Sequence, residues 1–169
     1  MGLRRGLLRL FLRLAATRAG GWFFTTVTPP LDRKLLMWST GRFSVAGAVS
    51  PTLMLITTGR RTGRQRHTPL LYLTDGDVAS VAPPLYIIGS RGGRRAQAGW
   101  YYNVMSESRV EVLVAGQRRR CTARLLEGAE RERVWDHFVR FNPHFNRYQA
   151  RVSREIPVIA LEGRPADYA

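Results

Sequence analysis

The sequence predicts an α+β domain built around a largely antiparallel sheet or small barrel, and two observations carry that reading. First, short runs of branched and apolar residues recur from Leu53 onward, each bounded by glycine, proline or an Asp-Gly pair. Second, the patterns follow one another as a helix, several strands with one short helix among them, a helical pair and a closing strand. With 169 residues, 44% of them hydrophobic, the chain is long enough for one domain with a proper core. Basic residues number 27 against 12 acidic ones, and the formal charge of +15 points towards anionic partners. Every basic residue but Lys34 is arginine, so where the arginines stand says more than how many there are. The one cysteine, Cys121, excludes an internal disulfide and a paired-cysteine metal site. Its position beside Ala123 and Leu125 on one face of a strand suits a small core residue. No run reaches the roughly 18 to 20 apolar residues that a spanning helix needs.

Taken in order, Met1 to Phe24 is a segment apart. Arg5, Arg9 and Arg13 fall on one side of a helix, while Leu3, Leu7, Leu10, Phe11 and Leu14 gather on the other. The arginines interrupt what would be the apolar stretch of a secretory signal, so the expected location is the cytoplasm. A basic amphipathic helix suits a peripheral hold on an anionic membrane surface through residues 1–24, at the inner face of the cell membrane. The alternative is that its leucine face packs on the domain itself. The predicted division is an amino-terminal helical segment at 1–28 and a folded domain at 29–169. Pro29-Pro30 marks a break, and Leu31 to Trp38 reads as a short helix that stops near Gly41. Strands at 52–58 and 66–74 lead to a turn at Asp75-Gly76-Asp77. Val78 to Ser90 is strand-like at both ends, and Pro83-Pro84 between them implies an edge position, a bulge or an inserted loop. Gly89 to Gly93 forms a second basic turn, extended by Arg94 and Arg95. Gly99 to Met105 reads as an aromatic helix, and Arg109 to Ala115 with Gln117 to Leu126 as a hairpin through Gly116. Arg118, Arg120 and Arg124 alternate along the second strand as an exposed face. Ala129 to Phe141 is a helix with Val134, Phe138 and Phe141 as its core stripe. Asn142-Pro143 breaks it, a second short helix carries His144 to Val152, and Pro157 to Leu161 is the last strand.

Two turns stand out chemically. Between the strands at 52–58 and 66–74 lies Thr57-Thr58-Gly59-Arg60-Arg61-Thr62-Gly63-Arg64, with Gly59 and Gly63 free to take positive φ. Such a turn can aim successive backbone N–H groups, threonine hydroxyls and guanidinium groups at a phosphate. The alternative is an ordinary hairpin loop with solvated arginines. The glycine spacing, with no following GK[ST], excludes a Walker-type loop. His67, His137 and His144 show no paired-ligand spacing, so no metal site is expected. There is no GxSxG elbow, no evident carboxylate pair, and no activating neighbour for Cys121. Binding of a phosphate-bearing cofactor that carries the reaction itself fits these residues better than protein-supplied catalysis.

The blocks LITTGRRTGRQRHTPLLYL, GSRGGRRAQAGWYYNV and FNRYQARVSREIPVIALE resemble the deazaflavin-dependent nitroreductase family of actinobacteria, over about Leu53 to Glu162. The resemblance implies a split β-barrel of the FMN-binding type, coenzyme F420 as cofactor, and hydride transfer from its reduced deazaflavin ring to a quinone, enone or nitro acceptor. It further implies that Arg60, Arg61, Thr62 and Arg66 hold the cofactor's phosphate and acidic tail, with Thr68 and Pro69 along the ring or its ribityl chain. Ser90, Arg91, Gly92 and Gly93 would form the second side of that site, and Gly99, Trp100 and Asn103 would pack against the ring. Tyr148 matches a tyrosine that shapes the acceptor pocket and is the catalytic candidate, whereas Asn142 and Phe145 stand where relatives carry others. Two more departures are Arg61, where many relatives have lysine, and a longer stretch at Ala79–Ile88, which bears on the rim of the site. A rival reading is a non-catalytic F420 carrier or a lipid-binding protein on the same barrel. Specific nucleic-acid binding is not expected, because the arginines are scattered and no recognition helix or aromatic RNA-binding strand is present.

Overall fold

The computed structural model describes residues 28–44, 50–75 and 83–163. The helix expected over Met1–Phe24, most of the Asp75–Asp77 turn and the first part of the Ala79–Ile88 stretch lie outside them. Helix α1 spans Thr28–Trp38, followed by strands β1 (Thr52–Thr58), β2 (Gln65–Thr74) and β3 (Leu85–Ile88). A single 3-10 turn at Arg91–Gly93 precedes helix α2 (Gly99–Ser106) and the hairpin of β4 (Arg109–Val114) and β5 (Gln117–Leu125). Helices α3 (Gly128–Phe141) and α4 (His144–Ala150) then lead to β6 (Val158–Gly163).

The six strands form a closed antiparallel barrel in the order β1-β2-β3-β6-β5-β4. Closure comes from β1 and β4, where Met54 faces Leu113, Leu55 faces Val112 and Ile56 faces Glu111. At β1, β3 and β6 the barrel is covered outside as well as filled inside, which is why these strands read as unbroken apolar runs, whereas β5 keeps an exposed arginine face. Leu53, Leu55, Leu85, Ile87, Val112 and Ile159 point inward and are all but fully buried. Alternate residues point out. Met54, Ile56 and Leu113 meet Leu36 of α1, while Tyr86, Ile88, Val158 and Ala160 lie under Val134, Phe138 and Phe145 of α3 and α4. Trp100 and Val104 of α2 join the interior set, so this helix plugs one mouth of the barrel. Cys121 and Ala123 are buried there too, as the sequence led us to expect.

Three expectations need correction. The helix expected from Leu31 begins at Thr28, so Pro29 and Pro30 stand in its first turn, where a missing N–H has no partner to lose. Of the alternatives offered for Pro83-Pro84, an edge position, a bulge or an inserted loop, the edge position does not hold. The prolines end just before β3, which pairs with β2 on one side and β6 on the other. Phe141 is not part of the core stripe of α3 but is 43% exposed, as the last residue of the helix, which the chain leaves at Asn142. Among the described residues no helix is long and apolar enough to cross a membrane.

Candidate functional site

A cleft of about 570 Å³ opens where α2 plugs the barrel, between the β1–β2 turn, the first half of β2 and Arg33 of α1. Its floor includes Trp100, 7% exposed and continuous with the barrel interior, so the cleft is the solvent end of the core. Arg33, Arg60, Arg61 and Arg66 line it, and no described aspartate or glutamate does. Four guanidinium groups facing one cavity without a counter-charge favour an anionic ligand with several acceptor oxygens.

The turn that carries three of them is built differently from a backbone nest. The N–H groups of Thr62 and Gly63 donate to the Gly59 carbonyl at 3.0 and 2.7 Å, and that of Gly59 donates to Arg64 O at 2.8 Å. Arg60 N–H donates to Asn103 Oδ1 at 3.2 Å, and Arg64 N–H to Thr62 Oγ1 at 3.4 Å. Most of the expected row of amides is therefore engaged already, four within the turn and that of Arg60 on α2. What the turn offers to an anion is chiefly its side chains. Of the two glycines only Gly63 has positive φ, at 64°. Gly59 is needed for close approach: a Cβ there would stand 3.0 Å from Arg64 O, 3.1 Å from Thr62 Oγ1 and 3.3 Å from Arg66 Nε. A side chain at 59 would fill the cradle that a ligand oxygen can enter.

Asn103 ties α2 to this turn, since its Nδ2 also donates to Thr57 Oγ1 at 3.1 Å, on a threonine only 2% exposed. Asn103→Ala is expected to lower unfolding stability by about 1 to 2 kcal/mol, because two hydrogen bonds go and a buried hydroxyl loses its partner. Urea denaturation checks this, and an unchanged midpoint would mean the turn holds itself. On the next face of α2, Tyr102 supports Arg60, whose guanidinium lies 4.9 Å from the ring centroid.

The second basic turn runs from Gly89 to Arg95. Arg154, in the loop before β6, holds it from behind. Its Nε donates to Arg95 O at 3.0 Å and its Nη2 to Arg94 O at 3.0 Å, with the carbonyls of Ser90 and Gly89 at 3.4 and 3.5 Å. Burial draws this guanidinium below its ordinary pKa; Tyr102 works against that and the nearby Arg91 charge adds to it. Gly93 has φ 74°, and a Cβ on it would lie 3.1 Å from both Cα and the carbonyl oxygen of Tyr148. α4 thus packs directly on the turn.

Of the residues singled out from the sequence, Arg60, Arg61, Thr62, Arg66, Thr68, Gly99, Trp100 and Asn103 come together around the cleft. Pro69 faces Met54 across the β1–β2 ladder and so shares its outward side, under α1. Ser90, Arg91, Gly92 and Gly93 stand apart from the cleft lining, at the 3-10 turn. Tyr148 is half-buried on α4, edge-on to Phe145 with centroids 5.9 Å apart and stacked on His144 at 6.5 Å, and it too does not line the cleft. Arg33, Gln65, His67 and Tyr102 line the cleft and were not foreseen. Tyr102 was within reach of sequence reasoning, for it lies three residues after Gly99 on the same side of the helix. Nothing local in the sequence brings Arg33 or Arg154 to the site.

A family model described as F420H2-dependent quinone reductase matches residues 34–163. The chain is 35% identical over 117 residues to an F420H2-dependent quinone reductase of Mycobacterium tuberculosis, covering 68% of this chain and 74% of that protein. Among solved structures it is similar to an F420-H2 dependent reductase, FDR-A, at 32% identity and a TM-score of 0.58, over 66% of this chain and 94% of the other. A domain-swapped dimer matches at 28% identity and a TM-score of 0.60, covering 79% of this chain and 96% of the other.

Proposed function

The chain belongs to the F420H2-dependent quinone reductase family, and from that premise we propose that its arginine-lined cleft is the F420 site and that the hydride acceptor is taken up over the α2 side of it. The protein is an F420-dependent reductase, and transfer to a quinone is its family's reaction. The observation that carries the assignment of the site is the cleft itself, with four arginines and no described carboxylate facing one cavity at the mouth of the barrel. Bound in reduced form, F420 supplies a hydride to an acceptor held against its ring. The chain's own part is to hold and orient. Arg60 and Arg66 supply charge-assisted bonds to phosphate, and Thr62 Oγ can donate one more. Trp100 and Thr68 offer the apolar and polar walls for a flat ring, and the plugged barrel mouth keeps water from the face below. Enones and nitro compounds fit the same requirement, an electron-poor acceptor whose oxygen gains charge. We extend the reading to them.

The test is titration of the purified chain with oxidised F420 and with FMN by fluorescence quenching, then menadione reduction by reduced F420. The expected result is preference for F420 by at least about tenfold, since each charge-assisted bond that FMN cannot make is worth roughly 1.5 kcal/mol or more, and turnover with menadione. Tight F420 binding with no turnover on any acceptor would favour a carrier instead.

The family resemblance, rather than the cleft lining, is what assigns Tyr148 to the acceptor side; its helix α4 packs on the second turn. Its hydroxyl would donate to the acceptor oxygen as charge develops there. Tyr148→Phe is expected to lower turnover about tenfold, roughly 1.4 kcal/mol, with F420 affinity unchanged. Menadione reduction at the parent rate would make it a packing residue.

A membrane surface is the natural source of quinones. Trp38 is 79% exposed, Phe43 54% and Met37 37%, with Lys34 and Arg42 nearby in the chain, and residues 1–24 add a basic amphipathic stretch. The reading is a peripheral hold on anionic lipid. Co-sedimentation with anionic vesicles tests it, and equal recovery in the supernatant with and without residues 1–24 would remove those residues from that role.

A further inference from the structure

The cleft draws its cations from two parts of the fold, and a phosphate held at the 59–66 turn accounts for one set of them. Arg60, Arg61 and Arg66 cluster at the turn, whereas Arg33 reaches in from α1, over β2, where His67 also lines the cavity. In the strand register His67 lies across from Ile56, and Ile56 across from Glu111. His67 therefore sits on the outer face of the barrel beside α1 rather than inside it. We propose that Arg33 and His67, backed by Arg118, form a second anion subsite that receives a carboxylate or phosphate beyond the phosphate at the 59–66 turn, and that it fills with uptake of a proton at His67. This rests on the reading of the cleft as the F420 site, and the ligand group in question is the acidic tail of that cofactor.

The surroundings of His67 support the proton. From α1 it faces Arg33; the neighbouring Asp32 is 2% exposed and accepts a hydrogen bond from the Ser44 hydroxyl at 3.0 Å. From β5 it feels Arg118, which is paired to Glu111 of β4 at 2.7 Å, and its own strand and turn add Arg66 and Arg61. Burial first, then Arg33 and Arg118, hold the imidazole below its ordinary pKa. In the free protein at pH 7 it is mostly neutral. An anion arriving between His67 and Arg33 offsets the surrounding positive charge and accepts a hydrogen bond from the ring, so the protonated form becomes favoured. Binding then strengthens as pH falls, as His67 takes up its proton in the bound form before it would in the free one.

Calorimetric titration with F420 at pH 7, in PIPES and in Tris, counts the protons taken up from the difference in buffer ionisation heats. The full-length protein is expected to take up a measurable fraction of one proton with F420 and none with deazaflavin ribityl phosphate, which lacks the tail. Its F420 affinity should rise about three- to tenfold from pH 8 to 6, and that rise should vanish in His67→Gln. Arg33→Gln should weaken F420 several-fold while leaving affinity for deazaflavin ribityl phosphate unchanged, and should raise the pKa of free His67 followed by NMR. The same uptake in His67→Gln, or with the tail-less compound, would overturn the subsite. So would uptake with tripolyphosphate but not with F420, which would make it a site for free anions. No binding of F420 at all would instead overturn the reading of the cleft.

Discussion

Replacing Arg60 and Arg66 together by alanine is expected to weaken F420 binding by about 3 to 6 kcal/mol, on the basis of roughly 1.5 to 3 for each charge-assisted bond lost. That corresponds to a fall of roughly a hundredfold to ten-thousandfold in affinity. The two arginines stand at the start of the turn and on the strand that leaves it, so they can approach one phosphate from two directions. Arg60 is held by its backbone to Asn103 and by its side chain over Tyr102, and Arg66 Nη2 lies 3.5 Å from Thr62 Oγ1. Little order would have to be created when the ligand arrives, which is why the loss should lie well above that of a solvated surface charge. Fluorescence titration reads it, with Arg140→Ala on α3 as a control that should change nothing. Equal affinity in the double variant would take the turn out of the site.

Arg154→Met is expected to cost about 2 to 4 kcal/mol of stability, mostly from the two 3.0 Å bonds to the carbonyls of Arg94 and Arg95. Methionine keeps much of the aliphatic stem, so packing contributes little to the difference. For a chain of this size the melting temperature should fall by roughly 5 to 15 °C. The second turn should also lose its shape, since the same guanidinium spans Gly89 to Arg95. A variant that melts with the parent would show that α4, packed on Gly93, holds the turn by itself.

Strands β1 and β6 were legible in the sequence because both faces of the barrel wall are covered there, which turns Leu53–Ile56 and Val158–Leu161 into unbroken apolar runs, and β5 was legible from its alternating exposed arginines. The turn at 59–63 was legible as a basic, glycine-marked loop, but not how it works. Which amides a turn keeps for itself depends on closure contacts such as Gly59 to Arg64, and these leave no pattern in residue types. Arg33 and Arg154 were beyond reach for another reason. Each meets the site by long-range packing, from α1 across β2 and from the loop before β6 to the turn at 89–95, where the sequence shows only one more arginine among many. Phe141 misled because helical spacing marks a face without marking where the helix stops.

The place of β6 in the barrel sets the timing of its assembly during synthesis. The last strand in the chain lies between β3 and β5, so neither has both neighbours until Val158–Gly163 has been made. A ribosome that has reached α4 carries a chain with an open sheet, whose β3 and β5 edges bear unpaired backbone groups beside apolar residues. Local pieces, the β1–β2 and β4–β5 hairpins with α2 between them, can form earlier, whereas ring closure waits for a contact spanning more than half of the strand-bearing chain. The nascent protein is therefore exposed to edge-to-edge association late in translation, and shielding by chaperones matters most in that interval.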